Sequence, residues 1–274
     1  MKKIKLFYFT KKANFGDELS PYLARKLHKN VVVASKWQCN ALFVGSMLGR
    51  LMSNSSLIVR LPSIIFLPSV KVWGGGYFDL KGRENVKPFR RLDVQACRGV
   101  HTLERIKKEV GVKIAKDVVL ADPGILASHF IDTSQNKKKF VLGIIPHYAD
   151  KENELLSKIK VTNAKEIDIQ LSPEKFMNEL SECENVISSS LHGLIAADSL
   201  GIPNVRMHVS GKLHGGDFKY HDYYSAYGME EHTVIDLTKQ EFTDKDLPTI
   251  KESYKIKPEQ VKKLQDKLLA AFPF

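Results

Sequence analysis

The feature that most constrains this chain is an alternation, kept up along nearly its whole length, of short apolar runs with segments of helical period. Ile4–Phe9, Ala41–Val44, Val70–Trp73, Val94–Cys97 and Val118–Leu120 read as strands. Between them, Glu18–His28 carries Leu19, Tyr22, Leu23 and Leu27 on one stripe, and Thr102–Glu109 also reads as a helix. Strands that are apolar on both faces belong to a parallel sheet covered by helices on each side. The polar run Asp132–Lys139 has no period and reads as a linker. The alternation then restarts with strand Phe140–Ile145, helix Glu152–Ile159, strand Glu166–Ile169, helix Pro173–Glu182, strand Asn185–Ser188, helix Leu194–Leu200 and strand Asn204–Met207. A last helix begins at Lys257-Pro258-Glu259 and runs through Ala271. The expected architecture is α/β: two Rossmann-like, doubly wound domains facing a cleft, over 1–131 and 140–256, followed by a C-terminal helix over 257–274. Ligands in such sheets sit beyond the carboxyl ends of the strands, so function is sought there.

Composition narrows the class. With 43% apolar residues the chain buries a core, which excludes general disorder. The net charge of +11 is uneven, about +14 through Phe130 and about −3 beyond. A basic first half fits a nucleic acid, a phosphorylated substrate or an anionic membrane face, and equally a lysine-rich soluble surface. Cys39, Cys97 and Cys183 are far apart without a CxxC, so no disulfide framework or cysteine zinc site is expected, and a reducing, cytoplasmic setting is. The apolar stretch Ser56–Trp73 is broken by Arg60, Pro62, Pro68 and Lys71 and cannot span a bilayer. The first twelve residues hold too short an apolar run for a signal peptide. No nucleic-acid-binding motif is present, so no nucleic-acid partner is expected. No HExxH or clustered DxD appears, so no metal site is expected either.

Several strand ends carry residues with chemical potential. Ser188-Ser189-Ser190-Leu191-His192-Gly193 closes a strand with three hydroxyls and opens an apolar helix, an arrangement that binds anions through backbone N–H groups and places a histidine for proton transfer. The same residues also read as an N-cap followed by a packed helix. Asn14-Phe15-Gly16-Asp17 precedes the first helix, with Asp17 read as its N-cap or as a group accepting a proton from a sugar hydroxyl. Gly74-Gly75-Gly76 permits close approach of a ligand or a tight turn. Arg98 fits a phosphate or carboxylate clamp or a surface ion pair. His147, after the first strand of the second half, reads as a cleft or a structural histidine. The loop from Lys212 to Tyr220 reads as a lid that carries cations to the cleft. There is no GxxxxGK[ST], which excludes a P-loop nucleotidase.

Taken in order, these segments resemble the polysaccharide pyruvyl transferase family. The resemblance rests on Asn14-Phe15-Gly16-Asp17 with Pro21-Tyr22, Gly45-Ser46, Trp73-Gly74-Gly75-Gly76-Tyr77-Phe78 and Arg98-Gly99. Asp122-Pro123-Gly124, Ile145-Pro146-His147-Tyr148, Ser188 to Gly193, Gly201-Ile202-Pro203-Asn204 and Asp222-Tyr223-Tyr224 complete it. It implies a fold like the GT-B glycosyltransferases and transfer of the pyruvyl group of phosphoenolpyruvate to a sugar as a ketal, in exopolysaccharide or capsule synthesis. Phosphoenolpyruvate is then the donor substrate, with no further cofactor. By the resemblance His192 is the general acid/base and Arg98 a donor ligand, and Asp17 is assigned to orient or deprotonate the acceptor. Many members have an arginine where this chain has Ser190, and Arg206, Lys212 and Lys219 are candidates to supply that charge. The full set expected at substrate is Asn14, Gly16, Gly74, Gly75, Gly76, Arg98, His147, Ser188, Ser189, Ser190, Gly193, Arg206, Lys212 and Lys219. The resemblance also implies a saccharide acceptor, which can be lipid-pyrophosphate-linked, with the basic first half seating the pyrophosphate. Peripheral contact with the inner membrane face is then read into Met47–Met52, an interfacial helix face or an ordinary core helix. The alternatives are a GT-B glycosyltransferase using a nucleotide-sugar and a basic binding module without turnover.

Overall fold

The computed structural model of the protein describes residues 2–79, 86–209 and 216–274. The apolar runs form two parallel sheets. The first joins β1 (Ile4–Leu6), β2 (Val31–Val33), β3 (Ala41–Leu42), β4 (Val70–Trp73), β5 (Leu92–Cys97) and β6 (Val112–Leu120) in the order β2-β1-β3-β4-β5-β6. The second joins β7 (Phe140–Ile145), β8 (Ala164–Glu166), β9 (Cys183–Ser188), β10 (Asn204–His208) and β11 (Val234–Asp236) in the order β8-β7-β9-β10-β11. Every pairing within both sheets is parallel. Each sheet therefore reverses its winding beside its own first strand, between β1 and β3 and between β7 and β9. A crevice opens at such a reversal. This is the Rossmann-like, GT-B-like arrangement.

The helices are α1 (Phe15–Leu27), α2 (Leu57–Phe66), α3 (Val100–Ile106), α4 (Ala127–Phe130), α5 (Pro173–Ser181), α6 (Leu191–Ser199), α7 (Phe218–Ser225), α8 (Leu247–Ser253) and α9 (Pro258–Ala270). Along β3 and β4 the side chains alternate between two cores, Ala41 and Trp73 inward, Leu42 and Val72 to the far face. The inward faces of both sheets join in one cluster, which takes Leu6 and Phe43 from the first half and Ile145, Val186 and Leu194 from the second. Helix α9 returns to the first half, where Trp73 Nε1 donates to Leu268 O at 2.9 Å and Gln265 Nε2 to Ile125 O at 2.8 Å.

Some expected elements differ. Glu152–Ile159 is a 3₁₀ turn, Glu154–Lys158, because Asn153 caps it and Ile159 leaves to pair with Phe242. The strand expected over Glu166–Ile169 lies earlier, at β8, and Ile167 and Ile169 are buried beyond its end. Met47–Met52 is no interfacial helix face: it is a 3₁₀ turn whose Leu48 and Leu51 are buried in the second core. No helix among the described residues is long and apolar enough to cross a membrane.

Candidate functional site

The two winding reversals face each other across a cavity of about 580 Å³. The first half contributes Phe9, Asn14, Asp17, Ser46, Arg50 and Phe78, and the second His147, Tyr148, Ser190, Leu191, His192 and Lys219. The start of α1 is held from the opposite half, since Phe15 N donates to Ile169 O at 2.7 Å and the Phe15 ring stacks on Phe176. Asn14, not Asp17, is the N-cap: its Oδ1 accepts from Asp17 N at 3.1 Å. Asp17 sits in the first turn with its carboxylate taking a hydrogen bond from Asn14 Nδ2. Its position at the cavity is therefore compatible with proton transfer, and capping does not occupy it.

His192 stands in the first turn of α6, behind the N-cap Ser190. Gly16 explains how it reaches the cavity: a Cβ there would fall 2.0 Å from Nδ1, so the imidazole lies flat against bare backbone. Nε2 points at Asp122 Oδ2, 3.8 Å away, and neither atom has a hydrogen-bond partner. The other oxygen of Asp122 accepts from Gly124 N at 2.9 Å. The Nε2 side thus faces a buried carboxylate, and Nδ1 lies on the Gly16 side of the ring.

Burial and neighbouring positive charge shape the electrostatics of the cavity. Burial, reinforced by Arg98, Lys219 and His147, pushes His192 down to about 3. His147 is pushed down to about 4 by burial, Lys219 and Lys12. Burial brings the Lys219 ammonium down to about 8, with Arg98 and Arg206 adding to it and Asp150 opposing. Burial raises Asp17 to about 7 against the Asn14 hydrogen bond, and raises Asp122 to about 6 against the Gly124 N–H and Arg98. Lys219 is only 6% exposed, and its Nζ lies over the Phe78 and Tyr220 rings at 5.8 and 5.0 Å. Among the described residues no carboxylate forms an ion pair with it.

Other residues expected at substrate are placed elsewhere. Arg98 is fully buried and spent: Nε donates to Asp222 Oδ2 at 2.9 Å, Nη1 to Ser46 Oγ at 2.7 Å, and Nη2 to Tyr77 O. It is a strut beneath the cavity, not a ligand in it. Gly74, Gly75 and Gly76 are buried and make room for Pro123, Leu42 and the Arg98 guanidinium, where a Cβ would come within 2.0, 2.2 and 2.5 Å. Ser188 Oγ donates to Ile145 O and accepts from Ser190 N, Ser189 Oγ donates to Asp150 Oδ2, and Gly193 packs on Ser188. Of the three serines only Ser190 lines the cavity. Arg206 is drawn away to Asp217 and the Tyr220 ring. Lys212 lies outside the described residues, and Phe218–Tyr220 open helix α7, so Lys219 is held on a helix instead of a lid.

The model of the polysaccharide pyruvyl transferase family matches residues 14–209, a span that carries Asn14, Asp17, Asp122, His147 and His192. The chain belongs to that family. An uncharacterized protein of Acanthamoeba polyphaga mimivirus is 32% identical over 239 residues, covering 84% of this chain and 76% of its own. Among solved structures, a spinosyn rhamnosyltransferase complexed with thymidine diphosphate aligns with a TM-score of 0.38 at 15% identity, over 91% of this chain and 72% of that one.

In this pyruvyl transferase family member, Arg50, Ser46, Phe78 and Asp122 reach the site or its histidine without having been singled out as site residues. Asp122 had a signal, an Asp-Pro-Gly at a strand end, which also reads as a turn. Arg50 had none, because its place depends on the 3₁₀ turn that follows β3. Among the described residues no group of three metal-ligating side chains comes together.

Proposed function

We propose that the chain transfers the pyruvyl group of phosphoenolpyruvate to two hydroxyls of a saccharide, in the synthesis of an exopolysaccharide or capsule. The observation that carries the reading is the convergence of Lys219, Arg50, His147 and His192 on one cavity with Asp17 at its wall. The donor carries a phosphate and a carboxylate, and the ammonium of Lys219, the guanidinium of Arg50 and the N-terminal N–H groups of α6 suit both. Burial first, and then the charges of Arg98, Lys219 and His147, hold His192 neutral; a bound dianion opposes the second of these, so donor binding raises the imidazole pKa toward that of an acid.

The steps then balance. His192 Nδ1 delivers a proton to the methylene carbon of the donor, which becomes the methyl group. A sugar hydroxyl attacks the neighbouring carbon and gives its proton to Asp17. The C–O bond to phosphate breaks, and the second hydroxyl adds to the resulting oxocarbenium centre to close the ketal. One hydroxyl proton makes good the one placed on carbon, and the other leaves with phosphate. Asp122 holds the Nε2 side of the ring, a contact that tightens to a hydrogen bond when His192 is charged.

The test is phosphate release from phosphoenolpyruvate in the presence of candidate saccharides. His192→Ala is expected to lower turnover by about 10²–10⁴-fold while donor affinity stays within a few-fold. Unchanged turnover removes His192 from the chemistry. Transfer of a hexose from a nucleotide-sugar in a parallel reaction, with no pyruvyl gain, replaces the reading altogether.

A further inference from the structure

We propose that α2 and the adjoining Trp37 turn form a docking surface for an anionic lipid surface, and that the groove beside Arg50 leads from it into the cavity. Helix α2 reads Leu57-Ile58-Val59-Arg60-Leu61-Pro62-Ser63-Ile64-Ile65-Phe66, and none of its residues is buried. Ile58 is 83% exposed and Phe66 81%. A helix apolar on nearly every side belongs inside a core or in lipid, and this one lies in no core. Its charged residue is turned inward: Arg60 Nη1 donates to Pro88 O at 2.7 Å and Nε to Ser55 O at 3.0 Å.

The apolar surface extends past the helix. Buried Arg90 donates to the carbonyl oxygens of Lys36, Trp37 and Pro68, which sets the exposed Trp37 beside the C-terminal end of α2. Gly111, where an added Cβ would lie 4.0 Å from Ile64, sets the exposed Val110 along its flank.

Charge selects the occupant. Of the seven Lys and Arg in the stretch between Glu18 and Asp79, which has no Asp or Glu, Lys36 and Arg50 line the groove beside α2, while Arg60 is turned inward and Lys71 pairs with Asp93. Arg91 reaches Leu67 O at the end of α2, and Lys36 lies over the Trp37 ring. A second copy seated face to face would oppose these cations to themselves across the apolar seam. An anionic lipid surface takes both, with the apolar side chains entering the acyl boundary and the cations meeting the headgroups.

The foot of α2 also meets a groove of about 370 Å³ lined by Lys36, Arg50, Ser53 and Asn54, which shares Gly49 and Arg50 with the cavity. A saccharide carried on a lipid diphosphate fits this path, with its chain along α2, its diphosphate across Lys36 and Arg50, and its sugar toward His192. That placement rests on the pyruvyl-transfer reading, whereas docking itself does not.

The test uses the full chain, without donor or acceptor, in co-sedimentation with vesicles of phosphatidylcholine alone and of phosphatidylcholine mixed with phosphatidylglycerol. The wild type is expected to bind the mixed vesicles, less as salt is added. The double variant Ile58→Glu/Phe66→Glu is expected to bind them at least about tenfold more weakly with an unchanged melting temperature, since both side chains are exposed. Wild-type protein that binds neither vesicle, or a variant that binds as well as wild type, overturns the proposal. So does a wild-type dimer that the variant converts to monomer, which assigns the face to a second copy. Because no substrate is present, a failed phosphate-release assay and a failed vesicle assay are told apart.

Discussion

At the scale of single residues, the cavity holds ionisable groups whose charged forms burial makes costly. Lys219 is the clearest, a buried ammonium brought down to about 8 mainly by burial. It is charged below that pH and loses its proton above it, so donor affinity is expected to fall as pH rises through about 8. In Lys219→Met that alkaline limb should disappear and the donor KM should rise about 10–100-fold, the worth of one charge-assisted contact. A pH series of kcat/KM for phosphoenolpyruvate checks both. Asp122 makes a second case. Burial raises its carboxyl to about 6, so the folded chain binds the proton more tightly than the unfolded one, and stability is lost as pH climbs from about 4 through 6. Asp122→Asn escapes that loss and is expected to gain stability at pH 7 relative to pH 4. It should also lower kcat about 10²-fold with donor KM unchanged, because His192 loses the group that orients it. A merely structural role would leave kcat unmoved while the pH-dependent gain in stability persisted.

At the scale of elements, α3 and α7 show why a residue's neighbourhood decides its role. The Asp222 carboxylate, from α7, accepts from Thr102 N at 2.8 Å and Thr102 Oγ1 at 2.7 Å in the first turn of α3, as well as from Arg98. Gly99 lets the two helices touch, since a Cβ there would fall 1.6 Å from Asp222 O. Arg98 read alone is a free guanidinium at a strand end, which suits a phosphate; its partner lies 124 residues away and was invisible from its own surroundings. Arg98→Ala strands a buried carboxylate and is expected to cost about 3–5 kcal/mol of stability, seen as a lowered melting temperature. Loss of donor affinity with stability intact would return Arg98 to the ligand set. The glycines teach the same lesson. Gly74 to Gly76 were legible as glycines that something must approach closely, and what approaches is Pro123, Leu42 and Arg98. Helix α2 was not expected because Pro62 falls inside it and apolar residues on nearly every side hide any helical stripe.

At the scale of the whole molecule, the two sheets share one core, and α9 from the end of the chain closes the first half. The halves are therefore expected to unfold together, with calorimetric and van't Hoff enthalpies equal. A chain cut before Pro258 should lose that transition, since it exposes Trp73 and leaves Ile125 O without Gln265. Two resolved transitions in calorimetry, or a truncated chain that melts as the full one does, would contradict the shared core. Local pattern set what it can set: which runs become parallel strands, which segments between them carry most of the helices, and that His192 opens a helix beyond a strand end, whereas helix bounds shifted by a few residues, as at α1 with its N-cap Asn14. These depend on neighbours within a few residues, where periodicity and capping are written. The folded chain alone decided which polar groups face the cavity and which are consumed as struts. That choice rests on partners distant in sequence, such as Asp222 for Arg98, Asp122 for His192 and bare Gly16 beneath the imidazole, and pairings of that kind come into being only when the two sheets close on each other.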